Sequence, residues 1–174
     1  MNNILITGLP GVGKTELIKK LCIIFKEFNP AGFFTSEILE NGEKAGLEIE
    51  NLNGDTMTLA HINIKSKHSA GKYKIDIKGF EDFLQQIMLK EKKTGLYFID
   101  EIGKTECESK KFSKLIIDLL NAQKPLVATI PEKGTGLISE IKKMDGVRIL
   151  ELTPNNHEQK LKELTMVIRD LLLE

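Results

Sequence analysis

The chain has 174 residues, which suits one domain with a substantial core and leaves little room for a second. Its 25 Lys and Arg balance 25 Asp and Glu, so nothing draws the whole molecule to nucleic acid or an anionic membrane, and a charged partner must be met locally. Cys22 and Cys107 show neither CxxC nor Cys/His ligand spacing, which argues against a disulfide scaffold or a zinc site and for a reducing cytoplasm.

The chain opens on "NILIT" (Asn3 to Thr7), a short continuous apolar run of the kind expected for a strand covered on both faces. Gly8, Pro10, Gly11 and Lys14 interrupt that run, so it reads as neither a signal peptide nor a spanning helix, and a soluble cytoplasmic protein is expected. From Thr15 the apolar residues Leu17, Ile18, Leu21, Cys22, Ile24 and Phe25 recur at helical spacing until Asn29-Pro30. The period then changes. "AGFFTSEIL" and "AGLEIENL" flank Asn41-Gly42, and Asn53-Gly54 leads into "DTMTLAHINI", which predicts a meander of antiparallel strands. "GKYKIDI" (Gly71 to Ile77) adds one more strand, so the β-rich insertion spans about 31–78.

Alternation follows: helix "FEDFLQQIMLKEKK", strand "GLYFID", helix "SKKFSKLIIDLLNAQ", strand "PLVATI", helix "GLISEIKKM", strand "VRILELT", and a last helix from Asn155 to Leu173. Helices between strands imply right-handed crossovers, hence an α/β fold of three layers with a mainly parallel sheet.

"GLPGVGKT", Gly8 to Thr15, matches G-x-x-x-x-G-K-[ST] and stands between the predicted first strand and first helix. Glycines there let successive N–H groups turn inward at a helix N-terminus, forming a cage for phosphate. In such a cage Lys14 bridges the β- and γ-phosphates and the Thr15 hydroxyl coordinates magnesium. "LYFIDEIGKTE" closes an apolar strand on two adjacent acids. At the carboxyl end of a strand in this class of sheet, Asp100 reaches the same magnesium, and Glu101 is placed to orient and deprotonate a water.

"GLPGVGKTE", "GFFTSE", "GKYKIDI", "FIDEIGKTE" and "VATIP", in this order, resemble the THEP1-type nucleoside-triphosphatase family over nearly the whole chain. The resemblance implies a P-loop NTPase with a RecA-like sheet that hydrolyses ATP, GTP, CTP and UTP to the diphosphate and phosphate, with little discrimination among bases. Carried over by position, the nucleotide-binding residues are Gly8, Leu9, Pro10, Gly11, Val12, Gly13, Lys14 and Thr15, then Asp100, Glu101, Ile102, Gly103, Lys104, Thr105 and Glu106. The chain departs from the family pattern at Thr105, usually Met, at Glu16, commonly Thr, and at Leu39, often Arg.

Weaker expectations attach to other residues. Thr129 could meet the γ-phosphate or the attacking water, Thr35 and Glu37 could line the cage, and the basic run "KSKHSAGK" (Lys65 to Lys72) could close over the triphosphate. His61, His68 and His157 form no metal constellation, and Cys22 and Cys107 read as structural. The only arginines, Arg148 and Arg169, lie outside every proposed site segment. An arginine finger supplies about 10³ to 10⁵ in rate, so slow basal turnover is expected, with a stimulating protein partner as one remedy. Three other readings compete: a small GTPase, since Asp100 to Gly103 also spells D-x-x-G although no N-K-x-D motif appears, a nucleotide or nucleoside kinase on the same fold, and a nucleotide-gated binding module.

Overall fold

The run Asn3–Thr7 forms strand β1, and all five of its residues are buried. This follows from its position in the computed structural model, which describes residues 2–88 and 93–173. The remaining strands are β2 (Ala31–Glu40), β3 (Glu43–Asn51), β4 (Thr56–His61), β5 (Ser69–Ala70), β6 (Tyr73–Ile75), β7 (Tyr97–Ile99), β8 (Leu126–Thr129) and β9 (Val147–Glu151). The helices are α1 (Lys14–Ile24), α2 (Ile77–Met88), α3 (Lys110–Leu120), α4 (Leu137–Ile141) and α5 (His157–Leu173). The strands make one sheet in the order β5-β6-β4-β3-β2-β7-β8-β1-β9, so β1 has parallel neighbours on both sides.

Strand periodicity divides the core in two. Leu5, Tyr97, Ile99, Leu126 and Ala128 point to one face, where they pack with α2, α3 and α4 residues such as Phe80, Phe112 and Ile138. Ile4, Ile6, Leu96, Phe98 and Val127 point to the other, against Leu17, Ile18 and Leu21 of α1 and Leu164 and Ile168 of α5. Both faces of the central strands are therefore covered, and this is why they read as unbroken apolar runs. On α1 the apolar stripe is narrower than its sequence suggests: Ile24 is 38% exposed, whereas Phe25, just beyond the helix, is 1% exposed.

The sheet is mixed rather than mainly parallel. The pairings β2–β7, β7–β8, β8–β1 and β1–β9 are parallel, and β2–β3, β3–β4, β4–β6 and β5–β6 are antiparallel. The meander does not stand apart from the parallel strands but extends them through β2, whose residues Ala31–Phe33 pair with Tyr97–Ile99 before the strand runs on into the hairpin. That junction is tight, because a Cβ on Gly32 would lie 1.7 Å from the Phe98 carbonyl oxygen, so only glycine fits. Asn41 and Gly42 both have positive φ, 51° and 81°, as a two-residue hairpin turn requires.

Tyr73–Ile75 alone of the expected strand Gly71 to Ile77 pairs in the sheet. Asp76 ends it, since its Oδ1 accepts from the Gly79 amide at 2.9 Å and so caps α2 three residues before the expected start. Residues 89–92 of the expected helix lie outside the described residues. No helix among the described residues is long and apolar enough to cross a membrane.

Candidate active site

The loop between β1 and α1 turns on three glycines with positive φ: Gly8 at 148°, Gly11 at 74° and Gly13 at 95°. A loop of this kind presents successive N–H groups to one concave side. Gly13 occupies the N-cap of α1 with no side chain of its own, leaving the helix's first amides to the concavity. Lys14 spans the loop, its ammonium donating to the carbonyls of Gly8 (2.8 Å) and Leu9 (3.1 Å), which holds a cation at the mouth of the cage.

Sheet order brings the second half of the site to this loop. Asp100 follows directly on β7, is 3% exposed and carries a cis peptide to Glu101. Its amide donates to the Phe33 carbonyl at 3.0 Å, and its own carbonyl accepts from the Thr35 hydroxyl at 2.6 Å. The Thr129 hydroxyl, on the neighbouring strand β8, donates to Asp100 Oδ1, while Oδ2 is buried with no hydrogen-bond partner among the described residues. Burial pushes the Asp100 carboxyl up from its ordinary range, against the pull of the Thr129 and Thr15 hydroxyls and Lys14. Glu101 is also raised, by burial and by Asp100 beside it, with Lys14 and Lys44 opposing.

A third acid stands behind these two. Glu106 is 2% exposed, and burial with the nearby Glu101 charge pushes its carboxyl up to about 8. The two side chains converge over Gly103, where an added Cβ would lie 2.5 Å from Glu106 Oε2 and 2.8 Å from Glu101 Oε1.

These groups open on a cleft of about 1540 Å³. Of the residues expected from sequence, Pro10, Gly11, Gly13, Lys14 and Thr15 line it from the loop, and Asp100, Glu101, Lys104, Thr105 and Glu106 from the far side. Five expected residues do not. Ile102 is fully buried in the α2–α4 core, its amide bound to the Thr129 carbonyl at 2.9 Å, because the chain after Glu101 turns back beneath β8. Val12 packs on the α1–α5 core and Leu9 is 64% exposed, while Gly8 and Gly103 form no part of the cleft wall.

Thr129 is fully buried and bound to Asp100, so it steadies the carboxylate instead of facing the cleft. Thr35 and Glu37 do line the cleft. Lys65 to Lys72 forms no part of the wall, since Ser69–Ala70 is the sheet's outermost strand, four strands removed from β2. Arg148 is paired with Glu163 at 2.7 Å, Arg169 is exposed on α5, and neither lines the cleft.

Three contributors escape the sequence reading. Lys44, paired with Glu37 at 2.8 Å, brings a cation from the hairpin to the side of the cleft facing Glu101. The loop Pro131–Ile138 after β8 supplies Lys133 and Thr135, and its "KGTG" composition was the only local hint. His157, distant in sequence, packs its ring on the phosphate loop: a Cβ on Gly13 would lie 2.7 Å from its Cε1.

The residues fit a magnesium ion. A buried carboxylate oxygen with no partner among the described residues, close to a helix-start hydroxyl, has the donor chemistry of a hard-cation ligand pair. Magnesium draws most of its shell from water and phosphate oxygens, so two protein oxygens are enough to place it.

A family model described as NTPase matches residues 3–165. A curated relative named nucleoside-triphosphatase THEP1, from Thermotoga petrophila, is 38% identical over 169 residues, covering 95% of this chain and 92% of its own. The chain belongs to the THEP1-type nucleoside-triphosphatase family. Among solved structures, the crystal structure of THEP1 from Aquifex aeolicus superposes with a TM-score of 0.84 at 31% identity, covering 95% of this chain and 98% of that one. The solution structure of a human cancer-related nucleoside triphosphatase superposes with a TM-score of 0.79 at 26% identity, covering 98% of each. The THEP1-type assignment thus spans the parallel strands and the meander alike.

Proposed function

We propose that the protein is a magnesium-dependent nucleoside-triphosphatase that converts ATP, GTP, CTP and UTP to the diphosphate and phosphate with little base selectivity and slow basal turnover. The observation that carries this reading is the unpartnered, buried Oδ2 of Asp100 beside the Thr15 hydroxyl, with Glu101 next in the chain. Loop amides and Lys14 hold the β- and γ-phosphates. Thr15 and Asp100 would hold magnesium, which when bound neutralises charge on the phosphate oxygens. Glu101 orients a water toward the γ-phosphorus and takes its proton as the new P–O bond forms and the β–γ bridge breaks. The causes that raise its carboxyl above the ordinary range make Glu101 a stronger base.

Slow turnover follows from the cations available. Lys14, Lys19, Lys44, Lys104 and Lys133 line the cleft, and neither arginine does. Lysines act as point charges and lack the planar fork that stabilises a transferring phosphoryl group. A protein partner that inserts an arginine would accelerate hydrolysis by up to about 10⁵.

Phosphate release from the four triphosphates, with and without EDTA, tests the proposal in wild type, Lys14→Ala and Glu101→Gln. Expected are turnover of several bases, its loss on chelation, and a fall of about 10² to 10⁴ in kcat for Glu101→Gln with binding retained. Turnover unaffected by Glu101→Gln would overturn the assigned base. Phosphate appearing on an added nucleoside or nucleotide would replace hydrolysis with kinase chemistry.

A further inference from the structure

With the triphosphate held by the loop amides and Lys14, the nucleoside must lie beyond the phosphate cage. Sheet order supplies a direction: β1, which feeds the phosphate loop, lies between β8 and β9, and the attacked end of the triphosphate points past β8 to the tip of β7. The sugar and base therefore leave the loop on the β9 side. There the β9–α5 connection crosses the loop closely, with the Leu152 carbonyl oxygen 2.5 Å from the position of a Gly8 Cβ and the His157 ring against Gly13.

A second depression, of about 520 Å³, opens beside that ring, and its size suits a nucleoside. It is lined by Pro154, Asn155, His157, Glu158, Gln159 and Lys162. The turn beneath it is fixed by Asn156, whose side chain accepts from the Thr153 amide at 2.8 Å and donates to the Glu151 carbonyl at 3.1 Å. Its backbone carbonyl accepts from the Lys160 amide at 2.8 Å. Asn156 is thereby committed to structure, while Asn155 and His157, on either side of it, line the depression.

We propose that this depression is the nucleoside subsite, with the base stacked on the His157 imidazole and its edge met by the carboxamides of Asn155 and Gln159. An aromatic face stacks on any base, and a carboxamide offers both a donor and an acceptor, so such a subsite adds affinity without choosing among bases. The inference rests on the triphosphate orientation of the proposed function and supplies a physical origin for its low base selectivity.

The test uses reaction products, so no turnover intervenes. Calorimetric affinities are measured with magnesium for ADP, GDP, CDP, UDP and inorganic pyrophosphate, on wild type, His157→Ala and His157→Phe. Circular dichroism checks that all three proteins are folded. Expected is a weakening of all four diphosphates by about 5- to 100-fold in His157→Ala, as for loss of one base–ring stack, with pyrophosphate unchanged and His157→Phe restored. Three results would overturn it: wild type binding pyrophosphate as tightly as the diphosphates, His157→Ala weakening pyrophosphate equally, or diphosphate affinities unmoved, which places the nucleoside in the main cleft. A His157-dependent gain from the nucleoside, in a protein that releases no phosphate, keeps the subsite and sinks the hydrolysis reading alone.

Discussion

Replacing Glu106 by Gln should abolish a loss of stability that this one buried carboxyl imposes as the pH rises from about 5 to 9. Glu106 lies 2% exposed beside the Glu101 carboxylate, and its carboxyl is pushed from 4.5 to about 8 on folding. A folded-state value above the unfolded one means that its contribution is whole below about pH 4.5 and is lost as the pH climbs through 8. Linkage between those two values amounts to about 4 kcal/mol lost from pH 5 to pH 9 through this one group. The chain has no Trp, so urea unfolding is best followed by far-UV circular dichroism, with EDTA present and nucleotide absent. Wild type should lose about 4 kcal/mol more than Glu106→Gln across that interval, the two proteins being closest at pH 5. Equal losses in both would refute the claim that burial beside Glu101 keeps Glu106 protonated.

Other perturbations reach the site through its supports. Thr129→Val strips the buried Asp100 Oδ1 of its donor, at a cost of about 1–3 kcal/mol, so kcat/KM should fall about 10- to 100-fold and the magnesium needed for half-maximal rate should rise. The same change raises the Asp100 carboxyl further, so the deficit should narrow as the pH rises, and Thr129→Ser should recover most of the activity. Gly32→Ala drives a methyl group into the Phe98 carbonyl and should cost at least about 3 kcal/mol by urea unfolding. Ser109 caps α3 through the Phe112 amide and also donates to Glu81, so Ser109→Ala should lose ~1–2 kcal/mol of stability with kcat unchanged.

Local chemistry was legible in the sequence where one short segment carries its own geometry. Gly8 to Thr15 needs only its glycines and the start of α1 to form a cage, and the run ending in Asp100 announces a buried strand with an acidic tip. Other roles depend on which strands become neighbours. Thr129 serves Asp100 because β8 lies between β7 and β1, an order that no local pattern encodes. Ile102 looked like part of the acidic segment, but its apolar side chain turns under β8 into the core. His157 sits 144 positions after Gly13, and only the pairing of β9 with β1 carries it to the loop. The basic run Lys65 to Lys72 misled for the same reason, since its charge suggested phosphate while the topology sends it to the far edge.

β2 obeys two partners at once, parallel β7 at its start and antiparallel β3 along most of its length. A one-residue slip against either would turn Phe33 out of the core and swing the Thr35 hydroxyl away from the Asp100 carbonyl. The turn at Asn41-Gly42 fixes the hairpin's alignment, and through β2 it also sets the alignment of the acidic strand tip. A change at that distant corner is thus felt as a displaced ligand, even though the corner touches no phosphate.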